Sequence, residues 1–341
     1  MLLGEKPVDE LTFCNQAMLE QKNIKLICNT QVVTIDLVQQ KIYCEDERSF
    51  VYDSLCIATG KSPRMLPLFE NKKFSNLFNF YYKSDLEQII NYIDLCKPLT
   101  AVVIGAGLTG LEAADGLRAR GMKVTLVEAT PQLLPTLITK PASDFIIKKI
   151  EDAGATMITG EKIVAYEAQD DHVTGLQLSN GQMLRTSLVV CAIGARPNTQ
   201  FLPKEIALQN GYCVVNEYMQ SSVPGIYAAG DCCIIYDQLT KRMQPNALWS
   251  DAMQQGMHAA YGMAGVPKKY PGSVSIASSS FFGLKVAIAG PVMPEAHQRI
   301  EERGDDSHYH RLISNNDKLV GFMLIGNTNA LSDYRRQLLS R

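Results

Sequence analysis

A chain of 341 residues with 46% hydrophobic and 20% charged residues has an ordinary globular composition and room for two or more domains. The formal net charge of −2, with both signs spread along the chain, offers no basic face to nucleic acid and no patch to an anionic membrane. The opening Met1-Leu-Leu-Gly-Glu5 is too soon charged for a signal peptide and no apolar run approaches the ~20 residues of a spanning helix, so the expected address is cytoplasmic.

Residues 15–23 predict a short helix. Strands are expected at 24–28 and 31–35, leading into a pair around 41–44 and 50–52, and this short, turn-rich alternation is a small β-meander. Residues 52–60 form an apolar strand ended by Thr59-Gly60, where bare backbone comes close either to a ligand or only to a loop. Helical spacing follows over 84–95, with Ser84 as the expected N-cap.

The chain is organised around residues 99–112, Leu-Thr-Ala-Val-Val-Ile-Gly-Ala-Gly-Leu-Thr-Gly-Leu-Glu, and 123–128, Lys-Val-Thr-Leu-Val-Glu. They read as a buried strand, a glycine turn, a helix and a second strand, the span of one βαβ unit. In such a turn Gly105 permits the sharp bend, Gly107 lets backbone approach a pyrophosphate, and Gly110 lets the helix pack closely on the strand. The helix start can then hold phosphate on its free N–H groups. Glu128 falls 21 residues after Gly107, near the ~20 expected of the carboxylate that takes ribose hydroxyls. The plain alternative is a glycine-rich turn in another kind of α/β protein. Strand, helix and placed acid together favour a dinucleotide site.

A second helix is expected over 141–153, with Pro141 in its first turn and Gly154 just past its end, and a strand at 155–158. Residues 163–184 form another meander with an Asn180-Gly181 turn, and 187–198 a buried strand running into Gly194. Meander, apolar strand and glycine thus occur twice, which implies two homologous dinucleotide domains. Residues 211–215 and 223–231 are strands, the latter ending in Gly230-Asp231, whose carboxylate either accepts sugar hydroxyls or only caps a turn. A helix over 245–258 has Asn246 as its expected N-cap. Residues 267–271 mark a boundary, 273–290 and 309–325 supply strands, and 329–339 a closing helix.

Nine cysteines, an odd number, include no CxxC and no Cys/His cluster at metal-ligand spacing, so reduced thiols and no metal are expected. Cys56 and Cys191 lie in apolar strands, where a thiol is a small hydrophobe. The adjacent Cys232-Cys233 tempts a redox reading, but neighbouring residues make a strained disulfide, and packing is the expectation.

The order of these segments resembles the two-dinucleotide flavoprotein fold of the pyridine nucleotide-disulfide oxidoreductase superfamily over essentially the whole chain. The carrying segments are 52–60, 105–112, Glu128, 189–198, 225–231 and 247–256. Within that superfamily the chain is most similar to the flavin reductases without an active disulfide, NADH:rubredoxin reductases and the flavin part of NADH-dependent nitrite reductases. The implied fold is α/β: two dinucleotide-binding, Rossmann-like domains, each with a β-meander, plus a small α+β C-terminal domain. Residues 1–97 and 196–270 would be two segments of an FAD-binding domain, 98–195 the NAD-binding domain and 271–341 the C-terminal one. Carried over position by position, Gly105, Gly107, Gly110 and Glu128 would bind NAD(H), with Glu112 and Gly194 flanking the nicotinamide. Thr59, Gly60, Gly230 and Asp231 would contact FAD. The helix starting near Ala247, Leu248 and Trp249 would aim its positive end at the flavin pyrimidine. No side chain is expected to act as acid or base, because hydride passes from nicotinamide C4 to flavin N5.

Two departures bear on this. The CxxxxC and terminal His-Pro of disulfide-reducing relatives are absent, His308-Tyr-His310 being followed by Arg311. The family's first GxGxxG strand and helix, for the ADP half of FAD, are absent as well, so the chain is expected to be an N-terminal truncation that binds NADH better than it retains FAD. The resemblance implies an FAD-dependent NADH:acceptor oxidoreductase with NADH and a small rubredoxin-like electron carrier as partners and a homodimer as a candidate assembly. The rivals are a single-cysteine NADH oxidase or coenzyme A-disulfide reductase type of enzyme, and a nucleotide-binding fragment without chemistry.

Overall fold

The computed structural model describes residues 14–293 and 295–340. The opening residues judged above for a signal lie outside them.

The sheet that carries the glycine turn has five parallel strands in the order Leu77–Asn79, Leu188–Cys191, Thr100–Ile104, Lys123–Glu128, Thr156–Thr159. Its central strand reads Thr-Ala-Val-Val-Ile because successive side chains point to opposite faces and both faces are covered. Ala101 and Val103 enter one core with Leu111 and Leu117 of the helix Leu108–Ala119, Ile89 and Ile93 of the helix Lys83–Cys96, and Ile146 and Ile150 of the helix Lys140–Asp152. Val102 and Ile104 enter another with Phe69, Leu176 and Leu178, where the antiparallel meander Ile163–Gln169, His172–Leu178, Met183–Arg185 covers the opposite face. Residues 77–96 therefore pack with this unit, ahead of the boundary at residue 98 drawn from the sequence.

The second meander, Val32–Asp36, Lys41–Cys44, Ser49–Val51, precedes a parallel pair, Leu55–Ile57 with Ile226–Ala228. A four-stranded sheet, Leu208–Gln209, Tyr212–Val214, Cys233–Asp237, Arg242–Pro245, stands beside it. The helix Trp249–Met263 lies so close to the pair that a Cβ on Gly262 would fall 2.4 Å from the Tyr227 ring. The chain crosses between the two units twice, and the passages pair as a ribbon, Lys61–Pro63 antiparallel to Ala195–Pro197.

The C-terminal sheet is antiparallel, in the order Ile276–Phe281, Leu284–Ala289, Lys318–Ile325, Tyr309–Asn315, Arg299–Gly304. Phe281, Val286, Ile288 and Met323 join the same core as Leu111 and Ile146, while Ala287, Phe322 and Leu324 take the closing helix Leu331–Leu339 through Leu338.

Several local expectations are corrected. Residues 24–28 form no strand: Ile24 and Leu26 are exposed and no described strand lies beside them. Tyr82, not Ser84, caps the helix Lys83–Cys96, because the Asp85 carboxylate accepts from the backbone N–H of Tyr81 and Tyr82 at 3.0 and 2.8 Å. Leu248, not Asn246, is the N-cap of Trp249–Met263, since the Asn246 amide is drawn into a side-chain network. The strand Arg299–Gly304 had no expectation at all. It is a fully exposed polar edge, without the alternation that betrays a half-buried strand.

Candidate cofactor cavity

The chain leaves the strand Thr100–Ile104 through Gly105, at φ +96°, where a Cβ would sit 2.5 Å from the Ala192 carbonyl oxygen. A Cβ on Gly110 would lie 2.0 Å from the Gly105 carbonyl oxygen. Both glycines are thus demanded by close packing of the turn on its own sheet. Gly107 differs: it is the N-cap of Leu108–Ala119, and a Cβ there would meet nothing within 4 Å. The space in front of it is open, and the first N–H groups of the helix have no intrahelical partner. An anionic group fits there without displacing protein atoms.

Glu128, at the end of the next strand, closes the turn from the side. Its carboxylate accepts from Ala106 N–H, Thr130 N–H and the Thr130 hydroxyl, each at 2.9 Å. The same carboxylate lines a cavity of about 670 Å³, within the range of small-molecule and cofactor sites. One wall comes from the five-stranded unit, with Gly105, Gly107, Glu128 and Gly194. The other comes from the second unit, with Lys61, Asp231 and Ala247.

Asp231 is half-buried, and burial raises its carboxyl above the usual range while the Lys61 ammonium pulls it back. Tyr81 stands between the walls. Its phenol is pushed up first by burial and then by the Asp231 charge, so it stays neutral.

Of the residues singled out in the sequence, Gly105, Gly107, Glu128, Gly194, Asp231 and Ala247 line this cavity. The others stand around it. Gly110 lies beneath the turn. Thr59 donates its hydroxyl to the Asn198 carbonyl at 2.6 Å, its own carbonyl accepts from Asn198 Nδ2 at 2.9 Å, and the Gly60 carbonyl accepts from Asn198 N–H at 3.0 Å. Both residues belong to the crossover ribbon. Glu112 is exposed on the fingerprint helix and accepts a hydrogen bond from Ser279 of the C-terminal sheet. Gly230, at φ +81°, donates its N–H to the buried Gln255 amide oxygen at 2.7 Å and so fixes the turn that carries Asp231. Leu248 caps the helix behind Ala247, and Trp249 is its exposed first residue.

Lys61, Tyr81, Glu161 and Lys162 also line the cavity and were not anticipated. Lys61 had a signal, since it directly follows the Thr-Gly that ends an apolar strand.

The cysteines of the second unit are held as packing groups. Cys232 and Cys233 are fully buried free thiols, donating to the carbonyls of Ile57 at 3.4 Å and Gly230 at 3.2 Å. Burial raises the pKa of both, and pushes Cys56 up to about 11 and Cys213 up to about 12. Thiolates are disfavoured there, and with them nucleophilic chemistry. No helix among the described residues is long and apolar enough to cross a membrane, and no group of His, Cys, Asp and Glu among them is placed to hold a metal ion.

A family model of pyridine nucleotide-disulphide oxidoreductases matches residues 4–256. The assimilatory nitrate reductase electron transfer subunit of Bacillus subtilis is 28% identical over 331 residues, covering 96% of this chain and 42% of that protein. Putidaredoxin reductase of Pseudomonas putida is 30% identical over 309 residues, covering 89% and 72%. The solved covalent putidaredoxin reductase–putidaredoxin complex superposes with a TM-score of 0.86 at 27% identity, covering 98% of this chain and 80% of the solved one. The chain thus spans well under half the length of the Bacillus nitrate and nitrite reductase proteins that it matches.

Proposed function

We propose a function from one premise: this chain belongs to the pyridine nucleotide-disulphide oxidoreductase family. The cofactors of that family are FAD and NAD(H). The reading is an FAD-dependent NADH:acceptor oxidoreductase, and the observation that carries it is the single cavity walled by the glycine turn on one side and by Lys61, Asp231 and Ala247 on the other.

Bound together, the two cofactors supply hydride transfer between nicotinamide and flavin, so the work of the chain is to bind, orient and bias. The open helix start at Gly107 receives the dinucleotide phosphates. Glu128 takes the ribose hydroxyls, and its hydrogen bonds to Ala106 and Thr130 hold the acceptor oxygens in place beforehand. Asp231 takes hydroxyls of the flavin chain, with Lys61 beside it limiting the cost of its burial. The helix that starts behind Ala247 turns its positive end toward the cavity, where negative charge builds as flavin is reduced.

The acceptor in this reading would be a small redox protein. Rubredoxin-NAD(+) reductase and putidaredoxin reductase of Pseudomonas putida, each 30% identical to this chain, support that class of acceptor. A second reading, an NADH oxidase, is supported by the 31% identical protein of that name from Methanocaldococcus jannaschii.

The test is to purify the chain, add FAD, and record the flavin-to-protein ratio and the bleaching of the flavin by NADH under anaerobic conditions. Bleaching followed by turnover with a one-electron dye and a rubredoxin, and slow turnover with oxygen, is the expected result. Fast oxygen turnover selects the second reading. A chain that takes up no flavin from a saturating solution overturns both.

A further inference from the structure

A buried polar network lies just behind the cavity wall. Asp251 is in the first turn of the helix Trp249–Met263, and its carboxylate accepts from Asn246 Nδ2 and from the Ser273 hydroxyl. Asn246 Nδ2 also reaches the hydroxyls of Ser273 and, at 3.0 Å, Ser275. Ser275 donates in turn to Asp237 Oδ2 at 2.6 Å, whose other oxygen caps Leu239 N–H and Thr240 N–H at 3.0 and 2.7 Å. Asn246, Ser273 and Asp237 are 8%, 1% and 1% exposed.

The network therefore ties three segments together: the end of the strand Cys233–Asp237, the residue next to Ala247 on the cavity wall, and the chain leading into the C-terminal sheet. An acidic residue in a first helical turn is satisfied by the helix N–H groups and water. Here both donors to Asp251 come instead from outside the helix, and burying such groups is tolerable only because they are mutually hydrogen-bonded.

We propose that Asp251 is a positioning residue: through Asn246 it fixes Ala247 and the first turn of this helix against the cavity, and its charge sets the reduction potential of flavin bound there. The proposal rests on the functional reading above and deepens it. An ionised Asp251 offsets the positive end of the helix, and a protonated one leaves that end unopposed, so flavin is easier to reduce when Asp251 carries a proton.

Burial raises the Asp251 carboxyl, Ser273 and Asn246 as donors pull it back, and the Asp237 charge pushes it further up. The Tyr270 phenol, which feels the Asp251 charge, is raised by burial and is neutral across the range where carboxylates titrate. Asp237 is thus the charged neighbour that the titration must reflect.

The experiment uses Trp249, the single tryptophan of the sequence, which stands two residues before Asp251 at the helix start. Its emission is followed against pH in the full chain without added flavin. The wild type is expected to show a transition above the ordinary carboxylate range that is absent in Asp251→Asn. Ser273→Ala, which loses a donor to the carboxylate, should move the transition up in pH, and Asp237→Asn should move it down. A merely structural contact produces no such opposed pair of shifts. In the flavin-loaded protein, the midpoint potential of Asp251→Asn should lie above that of the wild type at pH 8 and converge with it as the pH falls through the transition. The same Trp249 titration in Asp251→Asn and wild type, or a potential offset that is constant with pH, overturns the proposal. Absence of flavin uptake by the wild type overturns the functional reading, while the Trp249 shifts still decide whether the network acts as described.

Discussion

On the fingerprint side, Gly105, Gly107 and Glu128 belong to one strand–helix–strand passage, with the sheet continuing on both sides of it. On the other side, Lys61 and Asp231 follow two short strands that pair in parallel although they come from distant parts of the chain, and Ala247 precedes a helix whose Trp249, Met253 and Met257 are exposed. The first wall is set by close packing within a local motif, where space is the constraint. The second is set by hydrogen bonds and buried charge between remote segments, where electrostatics is the constraint. A substitution in the glycine turn should therefore act through volume, and one on the second wall through charge or backbone conformation.

The largest expected effect breaks the packed wall. Gly110→Ala drives a methyl group into the Gly105 carbonyl and should cost about 3 kcal/mol or more of stability, read as a lowered midpoint in chemical unfolding. Gly230→Ala, on the other wall, has its nearest neighbour at 3.7 Å and carries only the conformational penalty of φ +81°, roughly 1–2 kcal/mol.

Next in size is the ligand-facing pair. Gly107→Ala should unfold like the wild type, yet lose NADH affinity measured by calorimetry, since its methyl group enters the open space before the helix. Glu128→Ala should weaken NADH about tenfold, ~1.4 kcal/mol, and narrow the gap to NADPH, because in the proposed reading a carboxylate that holds ribose hydroxyls would also repel a 2′-phosphate. Equal affinities for both nucleotides in the wild type would remove Glu128 from that role.

A smaller effect sharpens the charged wall. Asp231 and Asp251 are both raised by burial, whereas the fingerprint unit has Asp171 lowered, by the Ser75 hydroxyl first and by His172. For a carboxyl raised on folding, the stabilising contribution is complete below its unfolded value near 3.8 and is lost as pH rises through the folded value. The unfolding free energy should therefore lose part of its decline with rising pH in Asp231→Asn and Asp251→Asn. For Asp171 the sign is opposite: its contribution is present above the unfolded value and is lost as pH falls through the folded one.

The smallest effect on the cofactor chemistry is expected at Cys232 and Cys233. Replacing both by serine should leave NADH-dependent flavin reduction unchanged and cost about 1–2 kcal/mol of stability for burying hydroxyl groups. Loss of flavin reduction with flavin still bound would restore a thiol mechanism.

What could be read from the sequence follows the same division. Gly105, Gly107, Gly110 and Glu128 were legible because a local motif places them at fixed spacing, and at Gly105 and Gly110 close packing admits only glycine. Lys61, Tyr81 and Lys162 were not, because the crossover brings three distant segments to one cavity and no spacing encodes that. Thr59 and Gly60 carried a true signal of close backbone approach, but in this structure it is met by Asn198. Asn246 has the chemistry of an N-cap, and its amide is taken by Asp251 and Ser275 instead, a competition between local and tertiary hydrogen bonds that sequence alone does not decide. The strand at Arg299–Gly304 was invisible because every one of its residues faces solvent.

The crossover ribbon has a mechanical consequence. Outgoing and returning passages lie side by side, cross-linked where Asn198 bonds to Thr59, Gly60 and, through its amide oxygen, the Ser62 hydroxyl at 2.8 Å. Paired in this way, the two passages hold the two walls of the cavity side by side and oppose their sliding past each other. A protease cut in one passage would leave the other passage and its ladder holding the halves in register, and the nicked chain should still run as one particle in a sizing column.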